Sequence, residues 1–148
     1  MKTLYFDSSY LFRLYSTEAG SEEIRELAAT TQRIASAWHG RAELASTLLR
    51  KRREAALTDE AVREIRNQLR DDRENGCVEF LDHSESITAK LESVLERAPK
   101  DTFIRAADAL YLACASEHGF KQVYSNDRHF LLAAPLFGLE GLNVIDKR

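Results

Sequence analysis

The 148-residue chain is 44% hydrophobic and 30% charged with a formal net charge of -3, a balance that excludes a disordered chain and suits one ordinary domain over 1–148. So small a net charge gives no whole-molecule attraction for nucleic acid, and any such contact must come from a local patch. Cys77 and Cys114, far apart and without CxxC spacing, fit buried thiols in a reducing cytoplasm rather than a disulfide scaffold, and no apolar run reaches signal-peptide or transmembrane length.

In chain order, a short buried strand is expected over 4–6, closed by Asp7 and followed by a helix through Leu11, Phe12, Leu14 and Tyr15. Gly20 breaks the chain. Ser21 then serves as N-cap of a helix with Glu22 and Glu23 in its first turn and Ile24, Leu27 and Ala28 on one face. Residues 32–37 make the next strand. Over 39–53 the apolar positions Ala42, Ala45, Leu48 and Leu49 recur at helical spacing, with Glu43 near the start. Thr58 opens a further helix carrying Val62, Ile65 and Leu69, which ends at Gly76.

Residues 77–81 are short, apolar and strand-like. Ser84 or Ser86 caps a helix bearing Ile87, Leu91, Val94 and Leu95, and it stops before Pro99 because the residue preceding proline avoids the α region. The most apolar helix spans 103–118. A strand over 121–125, a short helix over 127–134 and a last strand over 142–145 complete the order. Strands alternating with helices argue for an α/β fold with a parallel sheet, whose ligands gather at the carboxyl ends of its strands.

Four carboxylates stand out against this pattern. Asp7 closes Leu4-Tyr5-Phe6, Glu43 interrupts an alanine- and leucine-rich helix, Asp108 lies within Ala-Ala-Asp-Ala-Leu-Tyr-Leu-Ala, and Asp127 follows Val-Tyr-Ser-Asn. Any one of them alone is explained as a helix cap or as an acid in a helix's first turn. Together they are not, because a carboxylate desolvated without a partner costs several kcal/mol. Four such groups are expected to share a cation, and an all-oxygen ligand set selects Mg²⁺ or Mn²⁺. Crowded carboxylates should also carry raised pKa values.

Around them, Ser9 and Ser125 can either orient a carboxylate or cap a helix. Asn126 suits turn chemistry. Arg105, one turn before Asp108, can pair with a site carboxylate or contact a phosphate. Arg63, Arg66, Arg70 and Arg73 share one side of their helix below the cluster Arg50-Lys51-Arg52-Arg53. That stripe is either a track for RNA phosphates or a solvated face balanced by Glu60, Glu64, Asp71 and Asp72, and the solvated face is favoured for most of it. The four histidines lack zinc spacing, with His129 set apart only by its nearness to Asp127. Trp38, Phe12, Tyr15, Phe103 and Tyr111 are assigned to core or subunit interface rather than to base stacking. A phosphatase of the HAD type, which needs a second Asp two residues after the first, is excluded by Ser9.

The segments Leu-Tyr-Phe-Asp7-Ser-Ser, Arg-Ala-Glu43-Leu-Ala-Ser, Ala-Ala-Asp108-Ala-Leu-Tyr-Leu-Ala and Val-Tyr-Ser-Asn-Asp127-Arg-His-Phe, in this order, resemble the PIN domain family, and within it the VapC-type toxins. The resemblance runs essentially end to end. It implies a PIN-like three-layer α/β/α sandwich with a central parallel sheet. It also implies an endoribonuclease whose Asp7, Glu43, Asp108 and Asp127 hold Mg²⁺ or Mn²⁺, with Asp7 and Asp108 as direct ligands. The toxin role further implies a homodimer and a cognate antitoxin that inserts a peptide, with an Arg among the acids. A further acid found in some relatives one turn after the last motif is replaced by Leu131 and Leu132. Two alternatives stand beside the toxin: an RNA-processing nuclease without an antitoxin, and a PIN-like binding module that has lost catalysis.

Overall fold

A computed structural model describes residues 2–145. Five short strands, β1 (Leu4–Tyr5), β2 (Ile34–Ala37), β3 (Val78–Leu81), β4 (Gln122–Tyr124) and β5 (Glu140–Leu142), alternate with helices. All pair in parallel: β1 with β2, β2 with β3, and β4 with β5. A parallel bridge between Phe6 and Tyr124 and a 3.2 Å bond from the Asp7 N–H to the Tyr124 carbonyl join the two ladders at β1 and β4. The spatial order is therefore β3-β2-β1-β4-β5, and every carboxyl end lies on one edge.

The period-2 alternation of strand side chains sorts the core into two layers. Leu4, Phe6, Ile34, Val78 and Tyr124 pack beneath α1 (Ser8–Tyr15), α2 (Ser21–Ala28), α3 (Gly40–Arg53) and α4 (Asp59–Glu74). Tyr5, Ala35, Ala37 and Val123 face α5 (Glu85–Arg97), α6 (Ala106–Glu117), α7 (Arg128–Ala133) and a 3-10 helix, Ala134–Phe137. This is the three-layer sandwich expected from the sequence. α6 is apolar all round because it is buried all round, with Ala109 and every residue from Tyr111 to Ala115 in the core.

Local chemistry sets the element ends. Asp7, Thr58 and Asp127 each accept a backbone N–H as N-caps of α1, α4 and α7. At α2 the cap position is taken by Gly20 in the left-handed region (φ 93°), so Ser21 is the first helical residue rather than the expected cap. The last strand also departs from expectation: it is Glu140–Leu142, not 142–145. Gly141 sits against Leu131, where a Cβ would approach the Leu131 backbone to 3.1 Å. Close packing at the sheet edge, rather than an apolar run, defines that strand. Cys114 is buried as expected, whereas Cys77, just ahead of β3, is exposed. Trp38 and Phe103 are not core residues either, being 63% and 62% exposed in the monomer, while Phe12 and Tyr111 are buried.

Candidate active site

The chain leaves β1 through Asp7 and enters α1, and it leaves β4 through Ser125 and Asn126 to reach Asp127 at the head of α7. Glu43 and Asp108 stand in the first turns of α3 and α6. All four acids thus come to the carboxyl edge of the sheet.

Asp7 is 4% exposed and is held by hydroxyls. Ser9 Oγ donates to its Oδ1 at 2.6 Å, Ser125 Oγ donates to its Oδ2 at 2.5 Å, and the Tyr10 N–H donates to Oδ1 at 3.2 Å. Each serine oxygen also accepts a backbone N–H, from Asn126 for Ser9 and from Asp127 for Ser125. Both serines therefore orient the carboxylate instead of merely capping a helix. Asn126 is used in a turn, its side-chain oxygen accepting from Asn143 at 3.1 Å. Loss of water pushes the Asp7 pKa up to about 6, against the pull of its three donors, with only a small addition from the Asp108 charge. The rise expected from crowding is present, but desolvation is its main cause.

Glu43 has two donors that the sequence pattern did not single out. Tyr111 Oη donates to Glu43 Oε1 at 2.6 Å and Ser8 Oγ donates to the same oxygen at 3.1 Å. Tyr111 lies one turn beyond Asp108 on α6, which is the signal that could have marked it as more than core. The His39 ring packs on Tyr111 at 4.1 Å between centroids and bonds through Nε2 to the Ala107 carbonyl at 2.9 Å. Burial holds the Tyr111 hydroxyl well above its usual pKa, and Glu43 raises it further, so it remains a donor. The same loss of water lowers the His39 pKa.

Asp108 and Asp127 share a cation. Arg105 Nη2 lies 2.7 Å from Asp127 Oδ2, and its Nε lies 3.4 Å from Asp108 Oδ2. Burial raises the Asp108 pKa and Arg105 opposes that rise. The other Asp127 oxygen, Oδ1, caps α7 through the His129 and Phe130 N–H groups at 2.8 and 3.2 Å. Asp127 thus caps α7 through one oxygen and pairs with Arg105 through the other. His129 is exposed, with its ring on Phe103 at 4.4 Å. Leu131 packs on the core, and neighbouring Leu132 is exposed.

Asp7, Asp127 and Asp108 are therefore linked in turn through Ser125 and Arg105, while Glu43 is held separately by Ser8 and Tyr111. The donor chemistry is that of a hard divalent cation: carboxylates and hydroxyls, with no sulfur or imidazole among them. As the side chains stand, no three His, Cys, Asp or Glu groups among the described residues surround a single point closely enough to hold an ion. Arg105, 68% exposed along its side chain, supplies the positive charge between two of the acids.

The profile of the PIN domain family matches residues 4–134. The chain belongs to the PIN domain family. A structure of VapBC2 from Rickettsia felis bound to a DNA fragment from their promoter superposes with a TM-score of 0.67 at 16% identity, covering 96% of this chain and 98% of that one. VapC20 of Mycobacterium tuberculosis, a sarcin–ricin-loop-cleaving toxin, gives 0.65 at 16% identity over 88% and 94%. FitAcB from Neisseria gonorrhoeae gives 0.65 at 16% identity over 95% and 96%. Comparison with curated proteins returns no match. The PIN domain therefore sits among VapC- and FitB-type toxin structures in fold. Among the described residues, no helix is long and apolar enough to cross a membrane.

Proposed function

We propose that this PIN domain is a Mg²⁺- or Mn²⁺-dependent endoribonuclease acting as the toxin of a two-gene toxin–antitoxin module. In that reading it works as a single cytoplasmic domain paired into a homodimer. The observation that carries it is the gathering of four acids at the carboxyl edge of a PIN sheet, with Asp7, Asp127 and Asp108 linked through Ser125 and Arg105 and Glu43 held separately by Ser8 and Tyr111. The sarcin–ricin-loop cleavage of VapC20 supports RNA as substrate. The VapBC2 and FitAB structures with DNA support a cognate antitoxin partner.

Asp7, Glu43, Asp108 and Asp127 would hold the metal. A divalent ion supplies a more acidic water and positive charge against the phosphoryl group. The chain's own residues do the positioning. Ser9, Ser125 and the Tyr10 N–H fix both Asp7 oxygens, and Tyr111 with Ser8 fixes Glu43, so little reorganisation remains for these two acids. Arg105 must leave Asp108 and Asp127 for their charge to become available, and once free its guanidinium can meet a substrate phosphate. An antitoxin Arg entering among the acids would act as Arg105 now does.

Arg105 is also the one feature that favours a catalytically silent module, since it cancels charge on two of the four acids. Cleavage of an RNA panel with Mg²⁺, with Mn²⁺ and with EDTA, for wild type, Asp7→Asn and Asp108→Asn, decides between them. Metal-dependent cleavage lost in both variants upholds the nuclease. Cleavage equal in all three proteins removes it. Growth arrest on induced expression, relieved by co-expression of the adjacent small reading frame, distinguishes a toxin from a processing enzyme.

A further inference from the structure

The bond that orients Glu43 crosses the sheet. Tyr111 belongs to α6, packed on one face, and Glu43 belongs to α3 on the other, so the 2.6 Å contact between them passes over the carboxyl end of β2. Gly40, the first residue of α3 and three residues before Glu43, lies beside it. Backbone conformation does not call for a glycine here: unlike Gly20, Gly76, Gly119 and Gly138, Gly40 has no positive φ. The start of a helix accepts most residues, and helix propensity favours alanine over glycine.

What the glycine supplies is space. A Cβ on residue 40 would stand 2.8 Å from Ser36 Oγ, 3.1 Å from Tyr111 Oη and 3.3 Å from Tyr111 Cε1. Both neighbours are confined. Ser36 is fully buried on β2, and its Oγ is the one buried side-chain oxygen or nitrogen without a hydrogen-bond partner among the described residues. An unmade bond of that kind is a cost, and it marks how closely β2 and the start of α3 approach. Tyr111 is 1% exposed. Its ring is rigid, so any retreat from residue 40 carries Oη with it.

The preceding residue adds to the same contact. His39 sets its ring on Tyr111 at 4.1 Å between centroids and its Nε2 on the Ala107 carbonyl at 2.9 Å, which fixes the start of α3 against the start of α6 next to Asp108. His39 packs the tyrosine ring, and Gly40 leaves room for its hydroxyl.

We infer that Gly40 is a positioning residue of the acid edge: the missing Cβ lets the Tyr111 hydroxyl reach Glu43, with Ser36 as the opposite wall of the gap. For its effect on cleavage this rests on the nuclease reading of the edge; the contact itself does not.

The Tyr111 hydroxyl proton is buried, so it should exchange slowly with water and give a downfield NMR resonance, identified as the one missing from Tyr111→Phe. In EDTA, Gly40→Ala should move or abolish that resonance. In Mg²⁺ the same variant should lower kcat on RNA by roughly tenfold, as Tyr111→Phe does, with KM little changed. The pair Ser36→Ala/Gly40→Ala, which lacks the 2.8 Å wall, should recover part of both.

The deciding comparison is Tyr111→Phe/Gly40→Ala against Tyr111→Phe. With the hydroxyl gone there is no bond left to displace, so the added substitution should change kcat by less than about twofold. Loss of the hydroxyl also removes the 3.1 Å contact, and the comparison therefore stands even where Gly40→Ala alone does not fold.

A wild-type resonance or a wild-type kcat in Gly40→Ala overturns the assignment. So does a further loss of roughly tenfold in the Tyr111→Phe background, because the two residues would then act independently. Failure of the nuclease reads differently: a protein that cleaves nothing, yet whose hydroxyl resonance is moved by Gly40→Ala and returned by adding Ser36→Ala, loses the hydrolase and keeps the contact.

Discussion

The two halves of the acid edge are restrained in opposite ways. Asp7 and Glu43 are held by neutral donors, Ser9 and Ser125 for one and Ser8 and Tyr111 for the other. Asp108 and Asp127 are held by the guanidinium of Arg105. Hydroxyls fix a carboxylate's direction and leave its charge uncancelled; a guanidinium fixes direction and cancels charge together. One half is therefore a standing concentration of negative potential, and the other becomes so only when an exposed side chain moves away. Preorganisation and availability are separate properties, and this edge divides them between its two halves.

The largest effect should come from the hydroxyl-held half. Asp7→Asn keeps the shape of the group and removes its charge, and steady-state cleavage should fall by about a hundredfold or more, since charge stabilisation by a metal is worth several kcal/mol. A loss no greater than that of an exposed Asp101→Asn control would mean that Asp7 is only a helix cap. In the cation-held half, Arg105→Gln should tighten Mn²⁺ binding several-fold by calorimetry, because the competing charge is gone. Unchanged or weaker Mn²⁺ binding would erase the contrast between the halves.

A comparable but more local effect is expected of Tyr111→Phe. Loss of the 2.6 Å bond to Glu43 should lower kcat by roughly tenfold, the usual cost of removing an orienting partner, with KM little changed and the fold intact by circular dichroism. Ser9→Ala should act in the same direction on Asp7. A change in KM alone would assign Tyr111 to substrate binding instead.

The smallest effect is on stability, and its sign is opposite to that of an ion-paired acid. The Asp7 pKa is raised in the folded chain to about 6. The folded state therefore binds the extra proton, and this group's contribution is fully present below the ordinary carboxylate range and is lost as pH rises through about 6. In EDTA the wild-type chain should lose on the order of 1–2 kcal/mol from this source between pH 4 and pH 7. Asp7→Asn should flatten that part of the profile in denaturant melts. A profile equally steep in the variant would show that Asp7 is not the desolvated charge it is taken for.

Much of this arrangement is legible in the sequence, for reasons that also explain what is not. Asp7 and Asp127 stand out because a charge after a buried apolar run is costly, and the strand-end rule places both on one edge. Asp108 stands out because α6 is otherwise apolar on every side. The layers follow from period 2 against period 3.6. Contacts between distant elements leave no such trace: Tyr111 reaches Glu43 across 68 residues, and Arg105 reaches Asp127 across 22. A tyrosine in an apolar helix reads as core, and it is core; its hydroxyl alone carries the other role. The arginine stripe on α4 looked balanced because acids alternate with it in sequence. Helix geometry puts Glu64 and Asp71 far from Arg66 and Arg73, while Glu60 stays one turn from Arg63. The last strand escaped because β5 depends on Gly141 fitting against Leu131, a fit that no hydrophobic run announces.

The most direct test is Mn²⁺ binding followed by electron paramagnetic resonance on wild type and on Asp7→Asn, Glu43→Gln, Asp108→Asn and Asp127→Asn. If the four acids form one metal centre, every substitution weakens binding of the same ion, with Asp7→Asn and Asp108→Asn the most severe. Wild-type-like binding in those two variants, or no Mn²⁺ bound by wild type and Arg105→Gln alike, would contradict it.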